Sequence, residues 1–184
     1  MKIYFVTCNK GKVKEFKQIL EPKIQVQQLA IDYPELRSDD PEEIAKLAAK
    51  QLADKLNKPI VVEDSGLFIK VLNGLPGTNS AYIHKRIGLK GILKLMKGIK
   101  NRNCMYMSAV AYCEPKKQPV SFLGIEKGKI AKKIRGKNGF GHDPIFIPEK
   151  KTKTYGEMKN TEEVKKFRRR AVKKFVDFSL KGNL

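Results

Sequence analysis

Three stretches of this 184-residue chain carry side chains whose types and spacing could do chemistry. The first is Thr7-Cys8-Asn9-Lys10-Gly11-Lys12, directly after the apolar run Ile3-Tyr4-Phe5-Val6. That run predicts a buried strand, and Val13, Phe16 and Leu20 fall at helical spacing, so the chain turns from strand to helix at Asn9. Asparagine caps helix starts well, and the unpaired N–H groups and positive dipole end beside it attract anions, phosphate included. Lys10, Lys12 and Lys14 add charge. Taken alone, an ordinary capped surface helix with a solvated basic face has the same sequence features.

The second stretch is Glu63-Asp64-Ser65-Gly66, placed at the carboxyl end of the predicted strand Pro59-Ile60-Val61-Val62. Functional groups collect outside the carboxyl ends of strands in open α/β sheets, and Gly66 allows a sharp turn or a close backbone approach there. Two adjacent carboxylates after a buried strand are costly unless a cation meets them. Magnesium is the natural one, since it takes one or two carboxylates, waters and substrate oxygens. The bland alternative is a capping pair at a loop. The third stretch is Gly139-Phe140-Gly141-His142-Asp143-Pro144. A ring between glycines offers a stacking face to a base, and Asp143, restrained by Pro144, can accept hydrogen bonds from a base edge. His142 reads as a polar loop residue.

Other elements must hold these stretches in place. Ile24–Ala30 suggests a second strand, followed by a loop in which Tyr33-Pro34 keeps Glu35 extended. Asp40 as N-cap, Pro41 at the first helical position and the stripe Ile44, Leu47, Ala48, Leu52, Leu56 predict a helix, with Lys50 off the stripe's centre as a solvated lysine. Phe68–Leu72 reads as a further strand, Asn73–Gly77 as a turn and Ser80 as a helix start where a hydroxyl could face an anion. A helix is expected over Ile87–Ile99. Cys104–Tyr112 alternates like a strand, with Pro119–Ile134 as its antiparallel partner. Asn160 and Glu163 have capping-box spacing ahead of a last helix with the stripe Val164, Phe167, Ala171, Phe175, Phe178 and the basic run Arg168-Arg169-Arg170.

Composition narrows the class. Hydrophobic content of 41% fits a folded domain, and a formal charge of +20, from 39 Lys+Arg against 19 Asp+Glu, draws polyanions without choosing among them. Nucleic acid is expected to bind only non-specifically. Three cysteines without metal-type spacing fit free thiols in a reducing interior, and no signal peptide or membrane span is legible, so a soluble, cytoplasmic protein is expected.

The ordered set resembles the Ham1/inosine triphosphate pyrophosphatase family, which hydrolyses noncanonical purine nucleoside triphosphates such as XTP, ITP and dITP to monophosphate and pyrophosphate. The resemblance runs from Thr7 to Arg168. It implies that Thr7, Asn9 and Lys12 hold the triphosphate, that Glu35 and Asp64 bind magnesium, and that Asp64 acts as general base with Ser65 beside it. Lys50 and Ser80 fall on family positions near the phosphates, with Lys12 and Lys50 stabilising developing charge. Phe140, Gly141 and Asp143 match the residues that stack on and read the base. The implied fold is α/β, an elongated mixed sheet with two lobes forming a single domain over residues 1–184, a nucleotide-binding cleft between the lobes, and usually a homodimer.

The chain departs from the family pattern where the base edge is read. The family has Ser-His-Arg in its last helix and a lysine shortly before; here Lys166-Phe167-Arg168 stands there, so only Arg168 matches as a base contact, and Val164 or Lys165 lies opposite the expected lysine. Cys8 replaces a glycine in the first loop. Two further readings therefore accompany the first: a pyrophosphatase with relaxed or shifted base choice, and a nucleotide or nucleic-acid binding protein with weak catalysis.

Overall fold

A computed structural model describes residues 2–20, 23–33, 36–160 and 164–181. Its sheet is mixed and seven-stranded, in the order β2-β1-β3-β5-β6-β7, with β4 paired to β3. The strands are β1 (Lys2–Val6), β2 (Gln25–Leu29), β3 (Ile60–Ile69), β4 (Pro76–Gly77), β5 (Asn103–Cys113), β6 (Val120–Ile130) and β7 (Phe146–Pro148). Four α-helices lie among the described residues: α1 (Lys10–Leu20), α2 (Pro41–Leu56), α3 (Ser80–Leu95) and α4 (Lys166–Leu180). The chain divides into two compact units, one of Met1–Asp64, Ser108–Gly124 and Phe167–Leu184, the other of Ser65–Met107 and Ile125–Lys166.

In the first unit β1 runs parallel to both β2 and β3. Side chains alternate across a strand, and here both faces are apolar. Ile3, Phe5, Val61, Val110 and Tyr112 meet α1 and α4 through Val13, Phe16, Leu20, Ala171, Val172 and Phe175. Val6, Ile60, Val62, Ala109 and Ala111 meet Ala45, Ala48, Ala49, Leu52 and Ala53 of α2. The α2 start is as the sequence predicts, with Asp40 accepting from the Glu42 N–H and Pro41 in the first turn.

In the second unit Phe146 stacks on Tyr155 and meets Tyr106 at a tilt, with centroids 5.4 and 4.6 Å apart. The Tyr155 hydroxyl meets buried Glu126, which also accepts the Lys166 N–H at 2.8 Å. Arg102 donates to the carbonyls of Met96, Ile130 and Ala131, tying the end of β6 to the turn after α3.

Several expectations change. The predicted strand, loop and strand over Pro59–Leu72 is one ten-residue strand that carries Glu63–Gly66 in its interior, followed by a 3-10 turn at Lys70–Leu72. Gly66 serves close approach rather than a turn: a Cβ there would stand 2.0 Å from the Gly77 carbonyl oxygen, so β4 pairs with β3 only because the side chain is missing. Helix α3 begins at Ser80, where a helix start is expected, and runs on into the helix expected from Ile87 as one element interrupted at Gly88, whose φ is 59°. The capping box expected between Asn160 and Glu163 lies partly outside the described residues.

Candidate active site

The turn from β1 into α1 is built by its own side chains. Asn9 Oδ1 accepts the Lys12 N–H at 3.1 Å, and the Asn9 N–H donates to Thr7 Oγ1 at 3.1 Å. The Val13 N–H donates to the Asn9 carbonyl. Two of the four orphan N–H groups at the helix start are thereby used, and those of Lys10 and Gly11 remain directed out of the first turn. Thr7 is anchored to β2 on both sides, its N–H to the Leu29 carbonyl at 3.1 Å and its carbonyl to Gln28 Nε2 at 2.8 Å. Cys8, in the middle of this turn, is exposed and free.

Lys12 reaches from that turn to β3. Its ammonium donates to the Glu63 carbonyl at 2.9 Å and stands 2.8 Å from Glu63 Oε2. The other oxygen, Oε1, accepts from Ser108 Oγ at 2.6 Å and from Arg168 Nε at 3.0 Å. Arg168, 2% exposed, also pairs with buried Glu15 on α1. Burial by itself would raise the Glu63 carboxyl, but Arg168 and Lys12, with hydrogen bonds from Lys12 and Ser108, pull it down to about 2. Burial works against the Arg168 charge, and Glu63 and Glu15 outweigh it, so the guanidinium is held above its ordinary value. Glu63 is thus a fixed charge that locks Lys12.

Asp64 follows Glu63 on β3, so its side chain leaves the opposite face of the strand. It is 8% exposed. The carboxylates adjacent in sequence therefore meet different surroundings, which explains why one is absorbed into a buried network. Ser65 is half-buried on the same strand. Glu35 lies outside the described residues. Among the described residues no group of three or more His, Cys, Asp or Glu is gathered as a metal site.

In the second unit the glycine-flanked turn is built around Asp143. Its Oδ2 accepts the Phe140 N–H at 2.7 Å and stands 2.8 Å from Lys165 Nζ, while Tyr106 donates to Oδ1 at 3.4 Å. A Cβ at Gly139 would lie 2.1 Å from that Oδ2, and φ is 73° there, so only glycine lets the carboxylate fold under the turn. Gly141 also has positive φ, 61°. The Lys165 ammonium sits 3.9 Å from the centre of the Phe140 ring, within cation–π range. Of the two residues that the sequence leaves open, Val164 and Lys165, it is Lys165 that stands beside Asp143 and Phe140. His142 is buried, its ring edge-on to His84 at 5.0 Å, and burial followed by the nearby His84 charge lowers it to about 4.

Ser80 and Lys50 each have partners within the fold. The Ser80 hydroxyl donates to the Gly77 carbonyl at 2.7 Å and accepts the Leu67 N–H at 2.8 Å, pinning β3, β4 and the start of α3 together. Lys50 pairs with Asp54 one turn along α2, and Asp54 also accepts the Lys116 N–H. Sequence reasoning missed Glu15 and Ser108 altogether, and it took Glu63 only as a companion of Asp64. The one signal for Glu15 was a carboxylate beside the buried stripe of a helix otherwise rich in lysine.

The Ham1 family model matches residues 3–178. The chain belongs to the Ham1 family. It is 48% identical over 180 residues to a protein of Methanopyrus kandleri named dITP/XTP pyrophosphatase, covering 97% of this chain and 96% of that one. A Thermococcus kodakarensis protein of the same name is 46% identical over 187 residues, covering all of both chains. Among solved structures, the Ham1 protein of Staphylococcus aureus superposes with a TM-score of 0.84 at 28% identity, covering 100% of each chain. The Ham1 fold is therefore that of this mixed α/β chain.

Proposed function

We propose that this chain hydrolyses noncanonical purine nucleoside triphosphates, XTP, ITP and dITP, to the monophosphate and pyrophosphate. The observation that carries this reading is full-length likeness to relatives that bear the name dITP/XTP pyrophosphatase.

The residues supply a consistent chemistry. The Lys10 and Gly11 N–H groups at the start of α1 and the third proton of the Lys12 ammonium bind phosphate oxygens, with Thr7 and Asn9 shaping the turn. Asp64 takes a proton from the water that attacks the α-phosphorus, the bond from that phosphorus to the bridging oxygen breaks, and pyrophosphate departs. Magnesium fills its shell mostly with water and phosphate oxygens, so Asp64, a hard carboxylate on β3, suits it, with Glu35 as second donor. Bound there it supplies charge neutralisation. Ser65 lies next to Asp64 and shares the substrate's phosphate end. Phe140 stacks on the base, and Lys165, aimed by Asp143 and with Gly141 leaving room in the turn, donates to the 6-oxo oxygen. Adenine presents an amino group at that position, so donor would face donor. Arg168 gives its donors to Glu63 and Glu15 and acts by positioning Lys12; Ser80 positions the β3–β4 turn.

We further read the protein as cytoplasmic, with Cys104 and Cys113 buried as free thiols, and as a homodimer. No helix among the described residues is long and apolar enough to cross a membrane. Pyrophosphate release with magnesium from XTP, ITP, dITP, dUTP, ATP and GTP, on wild type and Asp64→Asn, tests the reading. Magnesium-dependent turnover favouring XTP and ITP and abolished by the substitution is expected. Turnover without base preference would move the assignment to a relaxed pyrophosphatase, and no turnover on any nucleotide would sink it.

A further inference from the structure

The basic charge is unevenly spread. From Ser65 to Met107 the chain has no aspartate or glutamate, while lysine and arginine recur throughout. Lys70 of that stretch joins four lysines from later in the chain around a cavity of about 720 Å³ in the second unit. Its floor is apolar, with Phe68 of β3, Met105 of β5, and Ile147 and Pro148 of β7. Its rim carries Lys70, Lys127, Lys129, Lys150 and Lys151 against one carboxylate, Glu149. All five lysines are exposed, and among the described residues none has an ion-pair partner. A second hollow of about 410 Å³ shares Asn103, Lys129 and Ile147 with the first and continues it to Lys100 and Lys132.

A free phosphate or a single nucleotide has no use for so long a row of cations. A polymer with an anionic backbone and flat, partly apolar side groups uses both the row and the floor. Lys127 and Lys129 are two residues apart on β6, so the pleat sets both on one face about 7 Å apart, a repeat that an extended phosphodiester strand can follow. We propose that this groove binds single-stranded nucleic acid without sequence preference, its phosphates on the lysines and its bases against the Phe68–Met105–Ile147 floor. A duplex keeps its bases stacked inside and gains nothing from that floor. None of these residues takes part in the proposed hydrolysis, so the groove is a second site.

The test is fluorescence anisotropy of a labelled oligouridylate of about 20 nucleotides with the full chain, across about 50 to 200 mM salt. Five to seven lysine contacts predict a slope of log K against log salt between about −3.5 and −5. Lys127→Glu/Lys129→Glu is expected to weaken binding at least about tenfold and to flatten the slope by about 1.4, with the melting midpoint unchanged. Lys55→Glu/Lys173→Glu, the same charge change on exposed residues of the first unit, is expected to leave the slope as it is. Equal loss in that control would overturn the proposal in favour of general charge attraction. Equal affinity for a duplex, or displacement of the strand by excess ITP, would overturn it too. So would a double variant that changes sedimentation but not binding, since the face would then belong to a second copy.

Discussion

Glu63 in the first unit and Asp143 in the second are both buried carboxylates met by a cation, and they are held differently. Glu63 draws its partners from three elements, Lys12 of α1, Ser108 of β5 and Arg168 of α4. Asp143 accepts the Phe140 N–H of its own turn and is met by the Lys165 ammonium and the Tyr106 hydroxyl of β5. A buried charge pair contributes little net stability against an apolar replacement, yet removing one partner strands the other. The difference is therefore one of consequence. The Glu63 network ties secondary elements together and fixes the amine proposed for the phosphates, whereas the Asp143 cluster shapes one turn and aims one amine at the proposed base.

The sharpest break would come from Asp64, the carboxylate proposed to act on the attacking water. Asp64→Asn is expected to lower kcat by about 10²–10⁴ with an unchanged melting midpoint, measured as pyrophosphate release from XTP. A loss of stability instead would make Asp64 a third structural carboxylate. Next in size, Glu63→Gln is expected to cost about 3–5 kcal/mol in urea denaturation, because Lys12 and Arg168 lose their shared anion. Asp143→Asn should cost less, and equal losses would erase the contrast drawn between the two carboxylates.

Acid separates the units by pH. His142 is lowered from 6.5 to about 4, so the fold favours the neutral ring, and its contribution is full above about pH 6.5 and is lost as pH falls toward 4. Glu63 is lowered from 4.5 to about 2, so its contribution is full above about pH 4.5 and is lost as pH falls toward 2. Each is worth about 3 kcal/mol. Stability followed by circular dichroism in urea should fall first between pH 6.5 and 4, and His142→Gln should remove that early loss while leaving the later one. An unchanged early loss in the variant would place its origin elsewhere.

Lys165→Met is expected to reduce the preference for ITP over ATP by about tenfold or more, mostly through KM, since the base-edge donor goes and the phosphate chemistry stays. A matching fall in kcat for both nucleotides would show that Lys165 acts on the chemical step. The smallest effect is expected at Lys50→Ala, whose exposed pair with Asp54 should leave kcat within about twofold. A large loss there would return Lys50 to the phosphates.

Much of this was legible in the chain. The Asn9 cap, the Pro41 helix start and the glycine-flanked Phe140 turn follow from local rules, because capping, proline geometry and positive φ are decided within a few residues. Glu63 was not legible as a hub. Its partners lie 51, 45 and 105 residues away, and no local rule links a helix lysine, a strand serine and a second helix's arginine. The Lys50–Asp54 pair is the opposite case, since the two residues stand four apart on α2 and helical spacing alone brings them together.

The sequence by itself determined the capped strand-to-helix turn at Asn9, the double-sided apolar pattern of the first unit, the excess of positive charge and the family. Only the tertiary structure decided that Glu63–Gly66 lies inside one strand, so that Glu63 and Asp64 leave opposite faces, and that Lys165 rather than Val164 meets Asp143 and Phe140. Local geometry is set by short-range sterics and hydrogen bonds, but which buried charges share a partner depends on what packing brings together, and that is a property of the folded chain.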